Sequence, residues 1–111
     1  MMSITLKGKR GKEYEFKGPY RFTITLKDNS GVYAILCKRE DGLYLLDVGE
    51  AKEVKFRVEH HERKECWIDE KECEDENLRY AVHYTPNAKK AGRLGVEQDI
   101  RKNYSGLCGE S

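Results

Sequence analysis

Four side chains of this 111-residue chain have the types and spacing to act on a phosphodiester: Tyr33, Arg57, His61 and Glu97. Hydrolysis of such a bond needs an activated water, a divalent metal on the phosphate oxygens and a cation for the charge that builds in the transition state. Tyr33 stands at the start of an apolar run. There a phenolate can deprotonate water if a neighbouring cation lowers its pKa from about 10. Arg57 and His61 are four apart and so share one helix face. A guanidinium suits bidentate phosphate contact, and an imidazole beside it can relay a proton. Leu94, Glu97, Arg101 and Tyr104 recur at spacings of three and four, which sets Glu97 on or beside an apolar stripe. A carboxylate there is costly unless it is paired or bound to a metal.

Each residue also has a structural reading. Tyr33 can be a packed strand aromatic with its hydroxyl at the rim. Arg57 can pair with Glu53 or Glu97, and His61 can be a helix C-terminal cation favoured by the macrodipole. Glu97 can pair with Arg93 or Arg101 on its own helix. Singly these readings are favoured, and only the joint arrangement tips the balance towards chemistry.

The elements that must position these groups are legible in the periodicity. Alternation in Ser3-Ile4-Thr5-Leu6-Lys7 and Glu13-Tyr14-Glu15-Phe16-Lys17, around a Gly8-Lys9-Arg10-Gly11 turn, predicts a half-exposed hairpin. Gly18-Pro19 breaks the pattern, and residues 20–27 suit a further short strand. Val32 to Cys37 is apolar on both faces, as a central strand is. Arg39-Glu40-Asp41-Gly42 makes the turn to its partner, Leu43 to Val48. From Ala51 the period becomes helical through Val54, Val58 and His61. Leu78 to Tyr84 is a third central strand, and Thr85-Pro86 opens a helix running to about Tyr104. The expected fold class is α+β: a small, mainly antiparallel three-stranded sheet flanked by helices (residues 31–111), with an N-terminal β-hairpin extension (1–30).

Composition narrows the classes. A hydrophobic share of 38% with 37% charged residues is lean but globular, and no apolar run approaches the ~20 residues of a membrane span. The N-terminal residues lack the apolar centre of a signal peptide, so the expected compartment is the cytoplasm, without membrane partners. Net charge is +1, yet residues 59–76 hold nine acids against three bases and carry −6, leaving +7 on the rest. A basic body with an acidic loop suits a polyanion if the loop points away. Without a secretory signal, disulfides among Cys37, Cys66, Cys73 and Cys108 are not expected. Cys66 and Cys73 with histidines form a rival zinc site, although their spacing is not that of a zinc knuckle.

These motifs resemble the GIY-YIG nuclease superfamily, in particular its small stand-alone members, from about Gly31 to Glu110. Gly31-Val32-Tyr33 matches the GIY element and Asp47-Val48-Gly49 stands at the YIG element. Arg57 follows at the family's usual ten-residue distance, and His61 falls four further on. Glu97 matches the metal-binding glutamate, and His60-His61 followed by Cys66-Trp67 is similar to the small proteins' pattern. The resemblance implies a metal-dependent endonuclease acting on DNA or RNA. Tyr33 would be the general base, Arg57 the phosphate ligand, His61 the assistant, and one Mg²⁺ or Mn²⁺ would sit on Glu97. Two positions depart from the pattern. Asp47 replaces the second tyrosine and can serve instead as a second metal ligand or base. Tyr44 cannot replace it, because three residues along a regular strand reverse the face. Gly109 stands near the family's final asparagine. An altered active site and an inactive fold that only binds nucleic acid or protein are therefore both open.

Overall fold

The computed structural model describes residues 2–109, so Glu110 and Ser111, at the end of the expected 31–111 unit, lie outside the described residues. Five strands form one antiparallel sheet: β1 (Ser3–Lys7), β2 (Glu13–Tyr20), β3 (Gly31–Arg39), β4 (Gly42–Ala51) and β5 (Leu78–Tyr84), in the order β1-β2-β5-β3-β4. Two short helices accompany them, α1 (Val54–Glu59) and α2 (Lys90–Arg101).

The expected three-stranded sheet is corrected by this topology: the sheet has five strands and curls into a half-barrel. The N-terminal hairpin is no appendage. β2 pairs with β5, Lys17 opposite Val82 and Tyr20 opposite Tyr80, and covers the edge that three strands would leave open. Its alternation is used fully, because Tyr14 and Phe16 turn into the core with Leu6.

β3 is the central strand, and its two faces feed two cores. Val32, Ala34 and Leu36 pack with Phe16, Val48 and Ile100 under α2. Tyr33, Ile35 and Cys37 pack on the other face with Val54 and Val58 of α1 and with Trp67. α1 begins three residues later than its period suggests, since β4 stays paired with β3 as far as Ala51. Its first amides are satisfied by the turn before β3, Val54 N–H on the Asn29 carbonyl and Phe56 N–H on the Asp28 carboxylate. α2 starts at Lys90 and not at Thr85, because Thr85 N–H donates to the Ser30 carbonyl and the Ser30 hydroxyl to the Thr85 carbonyl, which fixes that segment as a turn. Residues 20–27 contain a single 3-10 turn, Thr23–Thr25, rather than a strand.

A bulge in the β3–β4 ladder changes one expectation about facing. Ile35 lies opposite Asp47 but Leu36 lies opposite Leu45, so one extra β4 residue is inserted between them. Tyr44, opposite Cys37, therefore shares a face with Asp47. It is nonetheless remote from Tyr33, exposed, and bonded to Asp41.

The cysteines form two disulfides, Cys37–Cys73 and Cys66–Cys108, against the expectation from the sequence. Both close onto the acidic 59–76 segment, which has little else apolar to hold it: Trp67 is its main buried anchor, within a π-helical turn, Cys66–Glu70. With all four thiols consumed, the zinc reading of Cys66 and Cys73 loses its ligands. No helix among the described residues is long and apolar enough to cross a membrane.

Each bridge spans some 36 to 42 residues, a loop length for which cross-linking contributes about 2–4 kcal/mol. Reduction under native conditions is therefore expected to lower the melting temperature markedly. Thiol titration of the unfolded, unreduced protein checks the premise, and four free thiols would reject both bridges.

Candidate active site

Tyr33 leaves the start of β3 towards the α1 face and lies across Gly49, its cross-strand partner on β4. A Cβ at position 49 would sit 2.1 Å from the Tyr33 hydroxyl oxygen, so only glycine lets the ring pass. The ring is 2% exposed, and its oxygen is 2.5 Å from Nε2 of His61.

The tautomer of His61 follows from its other nitrogen. Nδ1 accepts the backbone N–H of Arg63 at 3.1 Å, so it carries no proton in the neutral ring. The proton is therefore on Nε2, which donates to the Tyr33 oxygen. Burial first, then the charges of Arg57 and Arg63, push the His61 pKa down to about 4, so the ring is neutral in ordinary buffers. It is thus not the exposed, charged helix-end histidine of the structural reading.

Arg57 lies near enough for its charge to act on Tyr33 and favour the phenolate. Its fork is occupied by the Glu62 carboxylate, at 2.5 and 2.8 Å, rather than by Glu53 or Glu97. The Glu62 side chain is 64% exposed, so this pair is solvent-screened and cheap to open. Burial pushes the Tyr33 pKa up to about 12, overcoming the opposite pull of Arg57.

Asp47 is placed differently from the metal ligand or base expected of it. It is fully buried, and its two oxygens take Arg63 Nε at 2.8 Å, Arg63 Nη2 at 3.0 Å, Trp67 Nε1 at 2.8 Å and Arg101 Nη2 at 2.5 Å. Four donors fill the lone-pair directions of a carboxylate, which leaves none for a cation. Gly109 belongs to the same knot. A Cβ there would lie 2.7 Å from Arg63 Nε, and the residue has φ of +80°, so an asparagine would displace the arginine.

Glu97 reaches the site from α2, on the opposite side of β4. It is half-buried and makes no hydrogen bond among the described residues. Burial raises its pKa, while Arg101 pulls it back. Arg93, its other expected partner, is instead bonded to Glu50 at 3.0 Å. Asp47 and Glu97 both act electrostatically on Tyr33 and raise its pKa, Arg57 opposes them by its charge, and His61 is the one of the five bonded to the tyrosine. No group of three or more metal-ligating side chains exists among the described residues. A single unpaired carboxylate fits a hard cation of the Mg²⁺ type, which keeps most of its waters and leans on substrate oxygens. It does not fit a caged site.

Arg63, Trp67 and Arg101 were not singled out by sequence reasoning. The signal was there: an aspartate between Leu46 and Val48 in an apolar strand must find cations. What the sequence lacked was their identity, since they come from 16, 20 and 54 residues away.

Two tests follow. Asp47→Ala strands two half-buried guanidinium groups and is expected to cost about 3–5 kcal/mol in chemical denaturation. The second concerns pH. The unfolded chain takes up a proton near pH 6.5 that native His61 refuses until about 4, so stability is full above about 6.5 and falls as pH drops towards 4. The loss is on the order of 3 kcal/mol, and His61→Gln should flatten that part of the curve. An unchanged slope in the variant would show that His61 is protonated like a free histidine.

Comparison with protein-family models, curated proteins and solved structures gives no match, so the chemistry of this site rests on its geometry.

Proposed function

We propose that the chain is a GIY-YIG-type, metal-dependent nuclease that hydrolyses phosphodiester bonds in DNA or RNA. The observation that carries this reading is the tyrosine oxygen 2.5 Å from His61 Nε2, with the charges of Arg57 and of the half-buried, unpaired Glu97 acting on it. An N–H donor on the phenol oxygen and a guanidinium charge nearby stabilise its anion, which is the form that takes a proton from water. Arg57, released by Glu62, holds a non-bridging phosphate oxygen and the charge that gathers there. A Mg²⁺ or Mn²⁺ on Glu97 would supply Lewis-acid polarisation of the phosphate. As water attacks phosphorus its proton passes to Tyr33, and the leaving oxygen is reprotonated from solvent.

A second reading, a binding module that holds nucleic acid or protein without cutting, is favoured by one observation. Tyr33 is buried with its pKa near 12, so almost none is anionic at neutral pH in the free protein. A cytoplasmic location, expected from the sequence, sits with two disulfides only where the cytosol tolerates them, as in hyperthermophiles. The 37% charge content suits such a source.

Purified protein with Mn²⁺ or Mg²⁺ is expected to nick supercoiled plasmid or structured RNA, and Tyr33→Phe, Arg57→Ala and Glu97→Ala to lower kcat by at least about 100-fold. Because the base must lose its proton, kcat/KM should climb about tenfold per pH unit between 6 and 9. Glu62→Gln, which frees Arg57, should lower KM. Folded wild type that cuts no substrate with any divalent metal, but shifts nucleic acid in a gel, establishes the binding module instead.

A further inference from the structure

We propose that the β1–β2 hairpin loop and the C-terminal half of α2 form a second contact surface for a nucleic-acid backbone, beyond the phosphate at Arg57. The proposal takes its substrate class from the nuclease reading above and extends it to a surface which that reading does not use.

The loop Gly8-Lys9-Arg10-Gly11-Lys12 is pinned to the helix through one residue, Asp99. Lys9 N–H donates to the Asp99 carbonyl at 2.9 Å, Arg10 N–H to its Oδ1 at 3.1 Å and the Tyr14 hydroxyl to its Oδ2 at 2.8 Å. Gly8 passes so close that a Cβ there would lie 2.0 Å from the carboxylate, and Asn103 Nδ2 donates to the Lys7 carbonyl. A loop with this many tethers is held rigidly, and what it presents is charge. Lys9 and Lys12 are exposed and have no acidic partner among the described residues, and neither has Lys102, the residue that caps the end of α2. The Arg10 side chain is 73% exposed although its Nε is 3.3 Å from Asp99. The buried Asp99 is the one acid among these groups, and it is spent on fixing the loop.

Between Lys9, Arg10 and Lys102 runs an open groove of about 670 Å³, floored by the small residues Ala91 and Gly95. A second groove of about 490 Å³ shares Gln98 and Lys102 with it and continues to Arg101 and Gly109. Arg101 and Gly109 both belong to the Asp47 knot, where Arg63 also lies. The exposed cations Lys9, Arg10 and Lys102 therefore line a track that runs on to Arg101, which is itself bonded to Asp47. Such a track suits evenly charged phosphates: it is shallow and polar, with no exposed large apolar side chain to anchor a peptide. The acidic 59–76 segment is anchored through Trp67 in the core on the α1 face of the sheet, the face opposite Ile100 of α2.

The test is fluorescence anisotropy of labelled DNA and RNA hairpins of about 20 nucleotides, metal-free, across a salt series, for wild type and the K9E/K102E variant. Neither side chain makes a hydrogen bond among the described residues, so melting should be unchanged; K9A/K102A serves if the reversal unfolds. Expected are at least a tenfold weaker affinity near 50 mM salt and a salt slope shallower by about two. In parallel cleavage assays KM should rise with kcat unaltered. Equal affinity and slope in variant and wild type overturn the track while leaving the nuclease reading intact. Loss of binding in the variant, with a wild type that binds but never cuts, upholds the track and removes catalysis. A wild type that binds neither probe overturns the track, and so does polyglutamate competing as well as unlabelled nucleic acid.

Discussion

The buried carboxylate of Asp47 is the constraint on which the rest of the molecule depends. It sits on β4 at zero exposure and gathers an arginine from the segment after α1, an indole from the π-helical turn and an arginine from the end of α2. Those three elements lie on different sides of an edge strand, and little else bridges them there. Arg101 adds hydrogen bonds from Nε to the Val48 carbonyl and from Nη2 to the Cys108 carbonyl, which brings the C-terminal segment into the same knot. Net stabilisation from a buried ion pair is modest, because desolvation offsets most of the Coulombic attraction. Its effect is positional. Breaking one partner leaves the other charges buried without compensation, so only one mutual arrangement of α1, α2 and β4 is tolerated.

That arrangement decides the electrostatics at Tyr33. Burial disfavours the phenolate, and the negative fields of Asp47 and Glu97 act in the same direction; Arg57 and Arg63 oppose them. Burial wins in the free protein, so the site rests in a protonated, closed state with Glu62 on Arg57. A phosphate and a divalent cation would alter the sum at the point where it is unfavourable, by displacing Glu62 and neutralising Glu97. Under the proposed function, ligands would tip this balance, and the same geometry would serve a cutting or a merely binding protein according to whether they do.

The sequence shows the local parts of this design and hides the non-local ones. The β3–β4 hairpin and the placing of Arg57 on α1 and of Glu97 on α2 are written in short-range periodicity, whereas α1 ends at Glu59, so His61 lies beyond it and does not share a helix face with Arg57 as the spacing suggested. The pairing of β2 with β5 joins residues 60 and 65 positions apart, and no local pattern encodes it. The bulge that turns Tyr44 onto the Asp47 face adds one residue to a ladder, and alternation read along β4 misses it. The disulfides were hidden for another reason. The inference from a missing secretory signal concerned the compartment, whereas Cys37–Cys73 and Cys66–Cys108 reflect which parts of a hydrophilic segment need tethering.

That segment shows how charge is managed across the whole chain. Residues 59–76 carry −6, and within that stretch a hydrogen bond with Glu76, and then that residue's charge, raise the Glu74 pKa. Apolar burial alone would not hold it, since Trp67 is its main core side chain. The two bridges, together with Arg39 and Lys71 reaching backbone carbonyls of Lys71 and Gly106, fasten it to β3 and to the C-terminal segment. Fixed there, it is anchored through Trp67 on the α1 face of the sheet, while Ile100 of α2 packs on the other. The +7 of the remaining chain is then free to act on the side where Lys9, Arg10 and Lys102 stand. A chain whose net charge is nearly zero can in this way present a cationic face to a polyanion, and it needs the bridges to keep the opposite charge from swinging across.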